Sequence, residues 1–167
     1  MEISLKYIWS PWRMKYIQSD KQKNGCIFCN ELKKTDGPEN LIVERFYHSC
    51  AILNRFPYTS GHMMVVPFEH KATLEDLPAD ALSEIMQVTV KVMQVLRRVY
   101  SPQGLNIGVN IGEAAGAGIL EHVHMHIVPR WTGDTNFVSI LGNVRVLPET
   151  LEDSYSNIKS EWQKLFL

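Results

Sequence analysis

The apolar residues of this chain follow two different periods along the sequence, and each period predicts a different secondary structure. The segments SCAILNRF (49–56) and HMMVVP (62–67) are short apolar runs with several β-branched residues, which favours strands. Pro57, Ser60 and Gly61 lie between them, and these residue types favour a chain reversal. The sequence therefore predicts a β-hairpin in this region.

A longer period predicts a helix from Leu77 to Tyr100. Apolar residues recur there at intervals of three and four, Pro78 is tolerated in a first helical turn, and Ser101 and Pro102 end the run. We interpret the apolar stripe as core and not as a cofactor site. It consists of Ala81, Leu82, Ile85, Met86, Val88, Val92, Val95, Leu96 and Val99.

The remaining segments complete an α+β pattern. GLNIGVNIG (104–112) alternates like a strand, and EAAGAG (113–118) has the small residues of a loop. Residues 148–167 mix charged residues with an apolar set that predicts a C-terminal helix, namely Leu151, Ile158, Trp162 and Leu165. One long helix between groups of adjacent strands indicates the α+β class with a mostly antiparallel sheet.

The segment EHVHMHIVPRW (121–131) places histidines at every second position. In a strand ending at Pro129, His122, His124 and His126 share one face, whereas a helix would scatter them. Three imidazoles on one surface compete for protons, and ordinary packing does not explain them. The row therefore predicts a functional surface. The residues expected on the opposite, core-facing side are Val123, Met125 and Ile127.

Composition and charge narrow the class of protein. A chain of 167 residues with 45% hydrophobic residues is enough for one domain, and we see no internal repeat. The net charge of −1 and the lack of a long basic run argue against a nucleic-acid polymer as partner but allow a small anionic ligand. Neither a signal peptide nor a membrane span is evident in the sequence, so we expect a cytoplasmic protein that does not bind membranes.

The glycine-rich loop enters the histidine segment directly. Small residues let backbone N–H groups approach an oxyanion, so Gly116, Ala117 and Gly118 are candidates for a phosphate cradle, although such a loop alone is weak evidence. A neutral imidazole attacks phosphorus when a carbonyl holds its far nitrogen, and a neighbouring imidazolium binds phosphate oxygens or protonates a leaving oxygen. The loop and the histidines together predict phosphate chemistry.

At this point the sequence resembles a known family. His-Val-His-Met-His-Ile-Val (122–128) is similar to the signature of the histidine triad family, whose members are nucleotidyl hydrolases and transferases acting at the α-phosphate of nucleotide derivatives. LNRFPYTSGHMMVVPFEH (53–70) resembles the upstream strand pair of that family. The resemblance implies that Asn54 binds the ribose and that His62 lies near the phosphate site.

The resemblance also implies a fold and a domain organisation. The expected fold is a five-stranded antiparallel sheet with one long helix and a C-terminal helix, and two protomers are expected to join into a homodimer. The chain is expected to form a single domain with its core at about residues 26–131. An N-terminal arm (1–25) and a C-terminal extension (132–167) flank this core.

Three further segments resemble the bacterial branch that includes diadenosine tetraphosphate phosphorylases: IWSPWRMKYI (8–17), AGAGILEH (115–122) and VPRWTGDTNF (128–137). The chain departs from the other branches at Ala117-Gly118-Ile119, where those carry Gly-Gln-Ser or Gly-Gln-Thr. This removes an amide side chain associated with phosphate contact, so we expect the loop backbone to serve instead.

By the same resemblance the catalytic residues are His122, His124 and His126. His124 is the expected nucleophile, which gives a covalent nucleotidyl-histidine, and His126 is expected to polarise phosphate oxygens. Asn110 is expected to help the loop hold the phosphate of the AMP moiety. No metal is needed for this covalent catalysis.

The sequence does not determine which molecule accepts the nucleotidyl group from the histidine. Inorganic phosphate would make the protein a phosphorylase, and water would make it a hydrolase of dinucleoside polyphosphates or nucleoside phosphoramidates. A nucleotide-binding regulatory module with little turnover is the further alternative.

A second group of residues predicts a metal site. Cys26 and Cys29 have a Cys-x-x-Cys spacing, which in a reducing compartment suggests metal or redox chemistry more than a disulfide. Resemblance to zinc-bearing members of the family adds His70 and His122 as ligands, with His48 as a fallback. Four protein ligands would make the zinc structural. Two reduced, buried cysteines are the alternative.

Overall fold

A computed structural model describes residues 25–134 and 148–167 of the chain. The predicted N-terminal arm lies outside the described residues except for Gly25, and so does the end of the 128–137 segment, from residue 135 onward. The helices and strands, in chain order, are α1 (Ile27–Glu31), β1 (Ile42–Arg45), β2 (Ser49–Leu53), β3 (Met63–Pro67), α2 (Ala79–Tyr100), β4 (Gly104–Val109), β5 (Met125–Arg130) and α3 (Leu151–Phe166).

The five strands form one antiparallel sheet in the order β1-β2-β3-β5-β4. This confirms the predicted hairpin, which is β2 and β3, and the predicted α+β class. All residues of β2 and β3 are buried, as a continuous apolar run in the middle of a sheet indicates. Cys50 in β2 is part of this core as predicted, and burial raises the pKa of its thiol to about 12. The short strand β1 was not predicted.

Helix α2 confirms the long amphipathic helix and packs against β2, β3 and β5. It begins after Pro78, which has an extended conformation and serves as the N-cap, and it ends at Ser101 in the left-handed region. The predicted stripe is wrong at one position, because Met86 is 54% exposed. Met86 lies one residue, and so about 100° of helical rotation, from the buried Ile85.

Helix α3 confirms the predicted C-terminal helix and adds to the core. Thr150 caps it through a reciprocal pair of contacts with Asp153. Tyr155, Ile158 and Trp162 are buried where α3 packs against α2 and β1.

Strand β5 differs from the prediction at both ends, since it starts at Met125 and continues through Pro129 to Arg130. Met63, the first residue of β3, pairs with Ile127. The residues of β5 that follow Ile127 therefore pair only with β4. The missing N–H of Pro129 therefore interrupts no ladder on the β3 side, which is where proline is tolerated in a sheet.

Strand β4 lies at the edge of the sheet and is only partly covered within the described residues. Ile107 at its centre is 42% exposed. None of the helices in the described ranges has the length and apolar character that a bilayer crossing requires.

We expect Trp162→Ala to lower the free energy of unfolding by about 3–5 kcal/mol, because the substitution leaves a large cavity in the core. The neighbouring Gln163 is exposed, so Gln163→Ala should change stability by less than about 0.5 kcal/mol. Urea unfolding of both variants measures the difference. A loss below about 1 kcal/mol for Trp162→Ala would contradict a core role for α3.

Candidate active site

The three histidines lie at the start of β5, but they do not form one row. His122 and His124 precede the strand and are buried, and only His126 belongs to it. The ring centroids of His124 and His126 are 4.7 Å apart. The His122 ring instead contacts His70, at 5.3 Å between centroids. The triad therefore divides into a pair and a third ring that faces another cluster.

His124 has the geometry of a nucleophile. Its Nδ1 lies 2.9 Å from the backbone carbonyl oxygen of His122, so Nδ1–H donates to that oxygen and Nε2 carries the lone pair. Burial lowers the pKa of His124, which keeps the ring neutral. This is the arrangement that an imidazole needs to attack phosphorus, with a carbonyl holding its far nitrogen.

His126 receives its orientation from a chain of hydrogen bonds. The Tyr58 backbone N–H donates to His62 Nδ1 over 3.1 Å, so the proton of a neutral His62 ring lies on Nε2. His62 Nε2 then donates to His126 Nδ1 over 3.0 Å. A neutral His126 therefore carries its proton on Nε2. His62 is buried beside His126, and its direct contact with substrate remains a prediction.

A cavity of about 320 Å³ opens beside His124 and His126. Of the predicted substrate-binding residues, Asn54, Asn110 and Gly118 line it. Its other walls are mainly apolar, including Ile27, Phe28, Leu41, Ile52 and Phe56. A cavity with apolar walls and a few polar groups next to reactive side chains is typical of a small-molecule site.

The glycine loop contributes less to the cavity than predicted. Residues 113–115 form a short 3-10 helix, after which the Gly116 N–H donates to the Glu113 carbonyl oxygen. The Ala117 N–H donates to the Gly112 carbonyl oxygen. Both amides therefore hold the turn together. Among the three predicted cradle residues, only Gly118 is part of the described cavity lining.

The cysteines and two histidines form a second cluster. One ligand atom from each of Cys26, Cys29, His70 and His122 can be chosen so that all four lie within 4.8 Å of one another. His122 Nδ1 is 3.3 Å from Cys26 Sγ and 3.6 Å from Cys29 Sγ, and His70 Nδ1 is 3.4 Å from Cys29 Sγ. Such short separations between soft sulfur and nitrogen donors suit a tetrahedral zinc ion.

The orientation of His122 also fits a metal ligand. Its Nε2–H donates to the Pro67 carbonyl oxygen over 2.8 Å, which leaves the lone pair of Nδ1 directed at the two cysteines. Burial lowers the pKa of His122 and favours the neutral ring that a metal binds. The fallback ligand His48 does not join the cluster, because its Nε2 pairs with Asp80 at 3.2 Å.

A family model for the HIT domain matches residues 35–133. The chain belongs to the HIT, or histidine triad, family. One relative is the AP-4-A phosphorylase of Mycobacterium tuberculosis, which is 36% identical over 167 residues that cover 96% of this chain and 86% of that protein. Another is the asymmetrical bis(5'-nucleosyl)-tetraphosphatase of Schizosaccharomyces pombe, 37% identical over 52% of this chain and 47% of that protein.

A solved structure shares the HIT fold. The zinc-bound histidine triad family protein from Mycobacterium smegmatis superimposes with a TM-score of 0.67 at 26% identity, covering 84% of this chain and 95% of that chain. The family and the fold that the sequence resembled are thereby confirmed.

Helix α1 supplies site residues that the sequence analysis did not find. The Phe28 ring lies 4.9 Å from the His124 ring and 5.4 Å from the His122 ring, between centroids. Ile27 and Glu31 line the cavity with it. The Cys-x-x-Cys motif could have indicated these residues, since they lie within it or just after it. The cluster of two cysteines and two histidines lies next to the triad, and the contacts of Cys26 and Cys29 with His122 hold α1 beside the cavity.

Proposed function

We propose that the protein is an enzyme that cleaves dinucleoside polyphosphates at the α-phosphate through a covalent nucleotidyl-His124 intermediate. The observation that carries this proposal is the hydrogen bond from His124 Nδ1 to the His122 carbonyl oxygen, which leaves Nε2 as the nucleophilic nitrogen. The names of the Mycobacterium tuberculosis and Schizosaccharomyces pombe relatives support the substrate class.

In the proposed reaction His124 Nε2 attacks the α-phosphorus and the bond from phosphorus to the bridging oxygen breaks. The departing oxygen is stabilised by the proton on His126 Nε2, which the bonds from Tyr58 and His62 place there. For diadenosine tetraphosphate the first step releases ATP and leaves AMP on His124. Splitting the displacement in two allows different acceptors to complete it.

The acceptor that we favour is inorganic phosphate, which releases ADP from the intermediate. The identity to AP-4-A phosphorylase over most of the chain supports this choice. Hydrolysis, which releases AMP, is the second candidate because the Schizosaccharomyces pombe relative is named a tetraphosphatase. A binding module with little turnover is disfavoured, since the hydrogen bonds of His124 and His126 are the ones that the proposed reaction requires.

The proposed binding mode places the nucleoside in the cavity, with the ribose at Asn54 and the α-phosphate near Asn110, Gly118 and the two histidines. The exposed edge strand β4 supports a homodimer, because an uncovered edge is a ready pairing surface.

A cytoplasmic location and a single domain with its core at about residues 26–131 remain proposals as well.

We also propose a zinc ion held by Cys26, Cys29, His70 and His122. A bound zinc would cross-link α1 to the segments around His70 and His122, and four protein ligands would leave no open position for substrate. The zinc-bound Mycobacterium smegmatis neighbour supports this assignment. Catalysis itself would use only the histidines and the protein backbone.

His124→Ala should lower the turnover of diadenosine tetraphosphate by a factor of about 10³ or more while AMP binding persists, because the covalent catalyst is lost and the cavity walls remain. His48→Ala is the matched control, as this histidine pairs with Asp80 and should leave turnover unchanged. Steady-state rates and calorimetric AMP binding test the pair. Retention of more than about a tenth of the wild-type rate would refute the nucleophile.

The acceptor is tested by incubating the protein with diadenosine tetraphosphate, with and without inorganic phosphate, and separating the products. We expect ADP and ATP in equal amounts, and only when phosphate is present. AMP and ATP formed at the same rate without phosphate would assign the protein as a hydrolase instead.

Protein purified without chelator should contain about one zinc ion per chain, measured by elemental analysis. Cys26→Ser should lower both the zinc content and the melting temperature, because the binding free energy of a structural metal contributes to folding. Cys50→Ala, which removes a thiol outside the cluster, should leave the zinc content unchanged. If freshly prepared, reduced wild-type protein lacks zinc, the cysteines are plain thiols.

A further inference from the structure

Thr59 ties the turn between β2 and β3 to strand β5. Its Oγ1 donates a hydrogen bond to the backbone carbonyl oxygen of Pro129 over 2.9 Å. Pro129 is buried and pairs with β4, but it lies beyond Ile127, the last residue of β5 that pairs with β3. A side-chain hydroxyl therefore supplies a donor to β5 at a position that β3 does not reach. Such a bond to a buried carbonyl group favours one position of the turn.

The residue before Thr59 orders two rings of the active site. The Tyr58 N–H donates to His62 Nδ1 over 3.1 Å, and His62 Nε2 donates to His126 Nδ1 over 3.0 Å. A backbone N–H lies in the plane of its peptide group, so its direction changes when that group rotates. Only the two backbone torsions of Tyr58 separate this peptide group from Thr59. The position of Thr59 therefore affects the bond that orders both histidines.

Two other contacts of the turn do not replace the bond from Tyr58 to His62. Asn54 Nδ2 is 3.3 Å from His62 Nδ1 and 3.5 Å from His62 Nε2. The lone pairs of the two ring nitrogens diverge, so a donor at nearly equal distance from both is aligned with neither. Gly61, whose φ is +73°, holds the turn against α2, since a Cβ there would lie 2.5 Å from the Tyr100 ring. That contact does not reach the strand that carries the third triad histidine.

We propose that Thr59 is a positioning residue of the proposed reaction. Its bond to Pro129 holds the turn, and with it the Tyr58 N–H, so that the neutral rings of His62 and His126 keep their protons on Nε2. This inference rests on the proposed function, because that function uses the Nε2 proton of His126 at the departing oxygen. Thr59 is outside the described lining of the nucleotide cavity, so it acts through the rings and not on the substrate.

Loss of the Thr59 hydroxyl would release both rings together. If the proton of His62 moves to Nδ1, its Nε2 becomes an acceptor, and His126 then donates from Nδ1. The Nε2 of His126 is left with a lone pair in place of the proton that the departing oxygen requires. The nucleophile is unaffected, because His124 takes its orientation from the His122 carbonyl oxygen.

The test begins with Thr59→Val, which keeps the branched shape of the side chain and removes the donor. We expect kcat for diadenosine tetraphosphate to fall about tenfold, because only part of the molecules then carry the His126 proton on Nε2. KM should stay within about twofold of the wild-type value, since the described cavity lining is unchanged. Thr59→Ser keeps the hydroxyl and should restore kcat to within about twofold of wild type.

The ring nitrogens give a second readout, which a purely structural role of Thr59 would not change. The ¹⁵N chemical shifts of His62 and His126 are measured at about pH 8, above the range in which imidazoles normally titrate. In the wild-type protein they should place both protons on Nε2. In Thr59→Val both rings should shift toward the Nδ1 tautomer, and Thr59→Ala, which adds no bulk to the turn, should show the same shift.

Ser60→Ala is the matched control, because it removes a hydroxyl of the same turn whose Oγ has no hydrogen-bond partner in the part of the chain that the structure describes. It should keep the wild-type kcat and ring tautomers. Unchanged kcat or unchanged ring nitrogens in Thr59→Val would overturn the role of Thr59, and so would a Thr59→Ser protein that is equally slow. If wild-type protein does not turn over diadenosine tetraphosphate, the proposed function fails, and the ring nitrogens still decide whether Thr59 sets the tautomers.

Discussion

The hydrogen bond from the His122 ring to the Pro67 carbonyl oxygen is the contact on which the arrangement of the site depends. Pro67 is the last residue of β3, so the bond ties the segment before β5 to the neighbouring strand. It also determines which nitrogen of His122 faces the cysteines. The backbone carbonyl oxygen of His122 in turn accepts a hydrogen bond from His124 Nδ1. One residue thereby links the sheet, the cysteine cluster and the proposed nucleophile.

Main-chain groups set the proton positions of three rings in this site, and the His62 ring passes that order on to His126. The carbonyl oxygen of His122 accepts from the His124 ring, and that of Pro67 accepts from the His122 ring. The Tyr58 N–H donates to the His62 ring. Backbone groups keep their donor or acceptor character at every pH, whereas a side-chain partner can change its own protonation state. The course of the chain therefore defines the tautomers of His62, His122 and His124 directly, and that of His126 through His62.

The sequence predicted those parts of the fold that depend on local pattern. The hairpin, α2 and α3 follow from apolar period and turn residues, whereas the roles expected of the histidines came from the resemblance to the family and not from their spacing. Other features depend on what a residue meets in three dimensions. Pro129 continues β5 because β3 does not extend past Ile127, and His48 lies outside the cluster of cysteines and histidines, with its Nε2 beside Asp80. Glu31 could be assigned to the cavity lining only from the structure, since no local pattern distinguishes it from a surface acid.

Helix α1 is five residues long, which is too short for a helix to be stable in isolation. Its position depends on the contact of Phe28 with the histidine rings, on the N-cap residue Cys26 and on Cys29 within the helix. The same helix forms one wall of the cavity, so an ion at the cysteines and a nucleotide in the cavity would both favour the ordered state of one small element. By thermodynamic linkage each ligand would then strengthen the binding of the other, without any contact between them.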